Sequence, residues 1–342
     1  MTSTAQNKTL PRVLVLTLGG TITMTSDTGD GIRPTLDGAH LVSAVPSLAH
    51  VAQVDALTPF MLPGASLSLA NLREVARLLR DKLASDTVDG AVLVQGTDTI
   101  EDTAFVMDVL LAQEKPIVVT GAMRGPQAPG ADGPANLLAA VTVAASTDAR
   151  GCGVLVVIND EIHTARLAKK SHTSLSSAFE SPGGGPVGAV VEGRARFWGR
   201  PLRRSISLLH QRLTDAGEPT WTPVVQWALG LGEEARLAGA LKALGYGGAV
   251  IEGMGAGHVP AAAVEPLSAL ARQMPTILAT RVAGGPVFQK TYGFPGSEID
   301  MLGRGLIPAG DLSSNKARLL LSLLLAAEAS PDEIKAAFAQ GA

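Results

Sequence analysis

At 342 residues the chain is too long for one ordinary domain, and at roughly 150 residues per domain it predicts two. Hydrophobic residues make up 46% and charged residues 17%, ample for a buried core, which excludes long-range disorder. Lys and Arg number 28 against 31 Asp and Glu, a net charge of −3 that leaves no basic surplus to neutralise a phosphate backbone, so nucleic acid is excluded as a partner.

The 38 glycines, with aromatics at only 4%, point to α/β layers joined by tight strand-to-helix turns. Residues 1–12 carry no apolar signal segment, and the longest very apolar stretch, 319–327, falls far short of the roughly 20 residues a bilayer span needs. These features predict a soluble, cytoplasmic protein with no membrane partner. The single cysteine, Cys152, permits no intrachain disulfide and no cysteine zinc cluster; its apolar surroundings at 151–158 predict an inert core thiol.

In chain order, residues 13–18 (VLVLTL), 90–95 (GAVLVQ), 116–121 (PIVVTG) and 153–160 (GVLVVIND) are apolar almost throughout. Such runs indicate strands covered on both faces, as in a parallel sheet. Between them, 68–83 places Leu69, Leu72, Val75, Ala76, Leu79 and Leu83 on one helical stripe. Thr99-Ile100-Glu101-Asp102 reads as a capping box opening the next helix, and 136–145 as another. Right-handed connections then give a doubly wound sheet.

Residues 180–225 change character, with SPGGGP, an arginine-rich stretch and GEPTWTP; they predict a β-hairpin or loop region and then a linker. The cluster Arg194, Arg196, Arg200, Arg203 and Arg204 reads as a solvated surface or as interdomain salt bridges, with an anion site as the alternative. From about residue 224 the α/β pattern resumes, with strands at 249–255 and 275–282 and an apolar helix at 314–329. Ser330-Pro331-Asp332-Glu333 marks a further helix start. The predicted division is an N-terminal α/β domain at 1–205, a linker at 206–223 and a smaller C-terminal α/β domain at 224–342.

Ligands of open α/β sheets bind outside the carboxyl ends of the strands. Two strands end alike, in Leu18-Gly19-Gly20-Thr21-Ile22 and in Val94-Gln95-Gly96-Thr97-Asp98-Thr99. Each sets a threonine hydroxyl on a glycine-supported turn rich in N–H donors, where a nucleophile and an oxyanion hole can be built. Taken alone each is equally a plain turn, and Thr99 is as much a helix cap as a reactant. Neither a GxGxxG fingerprint, nor GxSxG, nor a P-loop is present. The histidines His40, His50, His163, His172 and His210 show no metal-ligand spacing, so neither a metal nor an organic cofactor is expected.

Together the segments resemble the asparaginase/glutaminase family. The likeness rests on the two threonine motifs above, the second extending through Ile100-Glu101-Asp102-Thr103-Ala104, and on Thr120-Gly121-Ala122-Met123-Arg124. It continues in Asp132-Gly133-Pro134-Ala135-Asn136-Leu137, in Val157-Ile158-Asn159-Asp160-Glu161-Ile162 and at Lys170. In the C-terminal part Gly255-Ala256-Gly257-His258 and Gly310-Asp311-Leu312-Ser313-Ser314-Asn315-Lys316-Ala317-Arg318 also resemble family segments, so the match runs in order over nearly the whole chain.

The resemblance implies an amidohydrolase in which Thr21 attacks the side-chain amide carbon of L-asparagine. It implies that Thr97, Asp98 and Lys170 form a second group that activates either a water or the attacking hydroxyl. Ser66 matches a serine that holds the substrate α-carboxylate, Asp98 also grips the α-ammonium, and Glu298 looks like an acid supplied by the neighbouring subunit of an intimate dimer. Gly20, Gly96 and Ala122, within the matched motifs, complete the implied substrate-binding set with Gln95 and His258. The implied assembly is a homodimer or homotetramer with the site shared across the dimer interface. A lysine beside a threonine acts as a base if burial lowers its pKa, or else as a positive charge that favours alkoxide.

Three departures bear on substrate. Gln95 stands where the family usually has histidine. The loop after Thr21, residues 24–34, carries no tyrosine, so either another hydroxyl (Thr23, Thr25 or Ser26) takes that place or none is needed. His258 stands where an asparagine is frequent, and either replaces its contact or makes a structural hydrogen bond. These leave open another small amide, such as glutamine or D-asparagine, and a non-catalytic binding protein on the same scaffold.

Overall fold

The computed structural model describes residues 9–20, 22, 24–25, 33–34, 37–203, 206–214 and 217–341. The chain divides into two compact units, Met1–Arg203 and Arg204–Ala342.

The first unit is built on one eight-stranded sheet. Its strands are β1 (Arg12–Thr17), β2 (Gln53–Leu57), β3 (Gly90–Val94), β4 (Ile117–Thr120), β5 (Val154–Ile158), β6 (Glu161–Thr164), β7 (Gly188–Val191) and β8 (Arg194–Phe197). Their spatial order is β8-β7-β6-β5-β4-β3-β1-β2. The pairs from β2 to β5 are parallel, and those from β5 to β8 antiparallel. Every residue of β3, β4 and β5 is buried, as their unbroken apolar runs require of strands covered on both faces.

Helices α1 (Gly38–Ser43), α2 (Leu69–Leu83), α3 (Ile100–Leu110) and α4 (Gly133–Ala144) follow β1, β2, β3 and β4. Val13, Val15, Val92, Val94, Leu155 and Val157 point to one face, where Leu41, Leu137 and Val141 of α1 and α4 cover them. The alternate residues Leu14, Leu16, Leu93 and Val156 are equally buried on the opposite pleat, the side taken by α2 and α3. The sheet is therefore doubly wound. Full burial of a core leucine stabilises by about 1.5–3 kcal/mol, so each of these positions is sensitive to truncation.

Several boundaries differ from the pattern read in sequence. The helix expected at 136–145 starts earlier, at Gly133, because Pro134 sits in its first turn, where a missing N–H costs nothing. The strand expected to run to Asp160 stops at Ile158. Asn159 and Asp160 both take positive φ, 51° and 63°, and turn the chain directly into antiparallel β6. The hairpin expected after residue 180 is β7–β8, turned by Glu192 and Gly193 at φ 52° and 70°. The Thr99 capping box does not form: Thr99 holds the N-cap position of α3 without a side-chain cap bond, and its hydroxyl donates to the Gly64 carbonyl instead.

Within the arginine cluster Arg194, Arg196 and Arg200 are exposed, as expected of a solvated surface. Arg203 donates to the carbonyls of Leu111 and Gln113 just past α3, where a helix C-terminus favours a cation, and Arg200 donates to the Arg150 carbonyl. Arg204 lies outside the described residues. Cys152 is buried, and burial raises its thiol pKa.

The second unit carries four parallel strands in sequential order, β9 (Val224–Ala228), β10 (Gly248–Gly253), β11 (Thr276–Thr280) and β12 (Ile307–Pro308). Its helices are α5 (Val264–Ala271), α6 (Glu298–Gly303), α7 (Ser314–Ala326) and α8 (Pro331–Gly341). Leu267, Leu270 and Met301 pack with Ile251 and Leu278 into one core, and α7 packs against β9, β10 and β11. Ser330 opens α8 as its sequence predicts: its hydroxyl accepts from Glu333 N–H at 3.3 Å, and Glu333 accepts from Ser330 N–H at 2.8 Å. Within the stretch 206–223, Ser207–Thr214 is helical, with Leu209 and Leu213 buried. Among the described residues no helix is long and apolar enough to cross a membrane.

Candidate active site

The order β2-β1-β3 means that the chain leaves β1 in one direction and later returns to its other side. The carboxyl ends of β1 and β3 thus flank the switch point where an open sheet forms its ligand crevice. The backbone there is exceptionally close-packed. Gly19 and Gly20 follow β1 at φ 107° and 96°, a region that side chains avoid. A β-carbon on Gly20 would lie 2.0 Å from the Gly96 nitrogen, and one on Gly19 would lie 2.4 Å from the Leu62 carbonyl oxygen. A third turn, Gly64–Ser66, joins them: a β-carbon on Gly64 would stand 3.0 Å from the Gly96 oxygen. Three chain turns therefore meet backbone against backbone, with Ser66 exposed at the rim. Thr21 follows Gly20 and lies outside the described residues, as do Thr23, Ser26 and the side chain of Thr25.

On the β3 side, Thr97–Thr99 forms a single tight turn leading into α3. Thr97 is buried and Asp98 exposed. Lys170, more than seventy residues further on, meets both: its Nζ donates to Thr97 Oγ1 at 2.9 Å and to Asp98 Oδ1 at 3.0 Å. The lysine side chain is 18% exposed, and Asp98 is its ion-pair partner. Lys170 itself comes from a two-residue ladder, Lys169–Lys170 paired antiparallel with Phe179–Glu180.

Gln95 is fully buried. Its Nε2 donates to Thr99 Oγ1 at 3.0 Å, and Thr99 Oγ1 donates onward to the Gly64 carbonyl at 2.9 Å. This chain of bonds ties the end of β3 to the turn that carries Ser66.

Ala122 is buried just beyond β4. Two residues to which sequence reading gave no role hold that exit. Asp132 accepts from Met123 N–H at 2.9 Å and Arg124 N–H at 2.8 Å, and Asn136 donates to the Gly121 carbonyl at 2.9 Å. Asn136 also accepts from Asn159 N–H at 2.9 Å, linking the exits of β4 and β5. Their only sequence signal is the motif Asp132-Gly133-Pro134-Ala135-Asn136.

His258 and Glu298 lie together in the second unit. Glu298 has no solvent exposure. Its Oε1 accepts from Thr291 N–H at 2.9 Å and Tyr292 N–H at 2.7 Å, and Oε2 lies 3.1 Å from His258 Nε2. Burial pushes the Glu298 pKa up, but these hydrogen bonds to the charged form outweigh it and leave the pKa below its ordinary value. The His258 ring meets Tyr292 and Phe294 edge-on at 4.9 and 5.1 Å.

Residues 12–203 match the family model described as asparaginase, N-terminal, and residues 227–338 match the glutaminase/asparaginase C-terminal domain. A probable L-asparaginase of Deinococcus radiodurans is 36% identical over 97% of this chain and 98% of its own length. A glutaminase-asparaginase of Pseudomonas aeruginosa is 33% identical over 98% of this chain and 91% of its own. Among solved structures, the probable cytoplasmic L-asparaginase from Campylobacter jejuni matches with a TM-score of 0.83 at 29% identity, covering 96% of this chain and 99% of that one.

Proposed function

The chain belongs to the asparaginase family of amidohydrolases, and from that premise we propose that it hydrolyses the side-chain amide of L-asparagine to L-aspartate and ammonia. The observation that carries the proposal is the contact of Lys170 Nζ with Thr97 Oγ1 and Asp98 Oδ1 at the switch point of the sheet. It supports a proton relay beside the chain turn that leads to Thr21.

In this mechanism the Thr21 hydroxyl attacks the amide carbon, and the relay of Thr97 and Lys170 moves its proton toward the leaving nitrogen. Ammonia is a poor leaving group, and it departs once protonated, leaving an ester on Thr21. Water then attacks that ester and releases aspartate, the relay taking the water proton. Asp98 holds the lysine in place and presents the rest of its exposed carboxylate to a substrate ammonium. Ser66, at the rim, is proposed to bind the α-carboxylate. Gly20, Gly96 and Ala122 supply backbone at the crevice, and Gln95 orients the turns from beneath.

His258 and Glu298 are proposed to serve a site on a neighbouring copy, in a homodimer or homotetramer. The exposed aromatics Phe288, Tyr292 and Phe294 of the second unit support such an interface. A cytoplasmic location belongs to the same proposal and is supported by the Campylobacter relative. The buried Gln95 and the tyrosine-free loop favour keeping glutamine or D-asparagine as the second substrate reading.

Ammonia release from L-asparagine, L-glutamine and D-asparagine, by wild type and Thr21→Ala, tests the reading. Release from L-asparagine that Thr21→Ala lowers by orders of magnitude supports it. Preference for either other amide moves the assignment to that substrate, and no release from any of the three overturns it.

A further inference from the structure

Thr97 and Asp98 are fixed by β3 and α3, but Lys170 has no such support. Among the described residues, the two-residue ladder that carries it pairs with Phe179–Glu180 alone, continued by the Ser171 N–H to Ala178 carbonyl bond at 2.7 Å, and it is not part of the eight-stranded sheet. Something must register this ladder against the 97–99 turn, because the lysine side chain has rotatable bonds enough to point elsewhere. One bond does so on the backbone itself: Lys170 N–H donates to Glu101 Oε2 at 2.9 Å. Glu101 stands in the first turn of α3, three residues beyond Asp98, so its carboxylate is carried by the same rigid element as the two partners of the ammonium.

We propose that Glu101 is a positioning residue for the amide-hydrolysing site: its carboxylate holds the Lys170 backbone at the distance from which Nζ reaches Thr97. The inference rests on the amidohydrolase reading above. The simpler role for an acid at this place is to complement the dipole of α3, but that role needs only a negative charge near the helix start and no particular acceptor. The hydrogen bond to a residue sixty-nine positions away goes beyond it.

Two variants separate the roles. Glu101→Gln keeps an oxygen acceptor and loses the charge, whereas Glu101→Ala loses both. Misplacing a reacting group by about 1 Å can lower turnover by roughly 100-fold. Glu101→Ala is therefore expected to lower kcat by about 10- to 100-fold with a KM change below about threefold, and Glu101→Gln to stay within about threefold of wild type. Crystal structures of both variants give a readout independent of turnover: Nζ should leave hydrogen-bond reach of Thr97 Oγ1 in Glu101→Ala and keep it in Glu101→Gln. Unchanged kcat in Glu101→Ala, equal loss in both variants, or an undisturbed lysine in the Glu101→Ala crystal would overturn the inference. If the wild type hydrolyses none of the amides, the amidohydrolase reading fails by itself, and the crystal structures still decide whether Glu101 sets the lysine.

Discussion

The Lys170 ammonium stands almost equidistant from two partners of different kinds, 2.9 Å from the Thr97 hydroxyl and 3.0 Å from the Asp98 carboxylate. An ammonium so placed stays oriented toward the hydroxyl while its charge is balanced from the other side. Replacing it with methionine keeps the length and removes the relay. Lys170→Met should lower kcat by roughly 10²–10⁴, the usual worth of a positioned proton-transfer group. Lys170→Arg should not restore it, because a planar guanidinium cannot reproduce a single point donor between these partners. Steady-state kinetics with L-asparagine checks both.

The meeting of glycines at the crevice predicts a sharp local intolerance. Gly20→Ala forces a β-carbon to 2.0 Å from the Gly96 nitrogen at φ 96°, so the turn must shift. The expected result is loss of activity and a stability cost of about 1–3 kcal/mol, read by thermal unfolding. Gly193→Ala serves as the control. It too has positive φ, 70°, but nothing lies within 4 Å, so it should cost about 1–2 kcal/mol and leave kcat unchanged.

Thr99 is the middle member of the Gln95–Thr99–Gly64 bonds. Thr99→Val leaves the buried Gln95 amide and the Gly64 carbonyl without that partner, at a cost of about 1–3 kcal/mol. Because the same bonds hold the turn that bears Ser66, KM for L-asparagine should rise as well, and Thr99→Ser should recover both. A Thr99→Val enzyme with wild-type KM and unfolding midpoint would count against this role.

His163 gives the fold a pH dependence apart from the relay. It is fully buried, 3.0 Å from the Ser181 hydroxyl, and burial lowers its pKa from 6.5 to about 4. The unfolded chain therefore binds more protons than the native one between those two values. Stability is retained above about pH 6.5 and falls as pH drops toward 4, by about 3 kcal/mol for this group when converted at 1.36 kcal/mol per unit. His163→Gln should flatten that part of the stability curve in denaturant titrations from pH 7 to 4. Equal slopes for the two proteins would refute the assignment.

Much of the frame is legible in the amino-acid order, for physical reasons. The strand over 90–94 is apolar at each position because helices cover both its faces, and the glycines at 19 and 20 mark a turn where no side chain fits. The grouping around Lys170 is another matter. Asp98 and Lys170 lie seventy-two positions apart, no local periodicity joins them, and only the resemblance of whole motifs placed the lysine. Thr99 takes the N-cap position, but its hydroxyl makes no cap bond, because a hydroxyl chooses among all nearby acceptors and the Gly64 carbonyl comes from thirty-five residues upstream. The partners of Arg203 are equally out of local reach: the carbonyls that it binds, at Leu111 and Gln113, are some ninety positions away.

The basic segment has one more effect, at the border of the sheet. Among the described residues β8 is the outermost strand, paired on one side only, and its pattern of exposure sets Arg194 and Arg196 outward while Ala195 and Phe197 turn inward. An edge strand exposes unpaired N–H and C=O groups that a second molecule can zip onto. Any such strand would have to strip water from two guanidinium groups to do so. At the opposite border β2 carries Asp55, ion-paired with Arg12 at 2.7 Å. Both margins of an eight-stranded sheet whose central strands are almost entirely apolar thus carry charge, which disfavours edge-to-edge pairing with a second sheet.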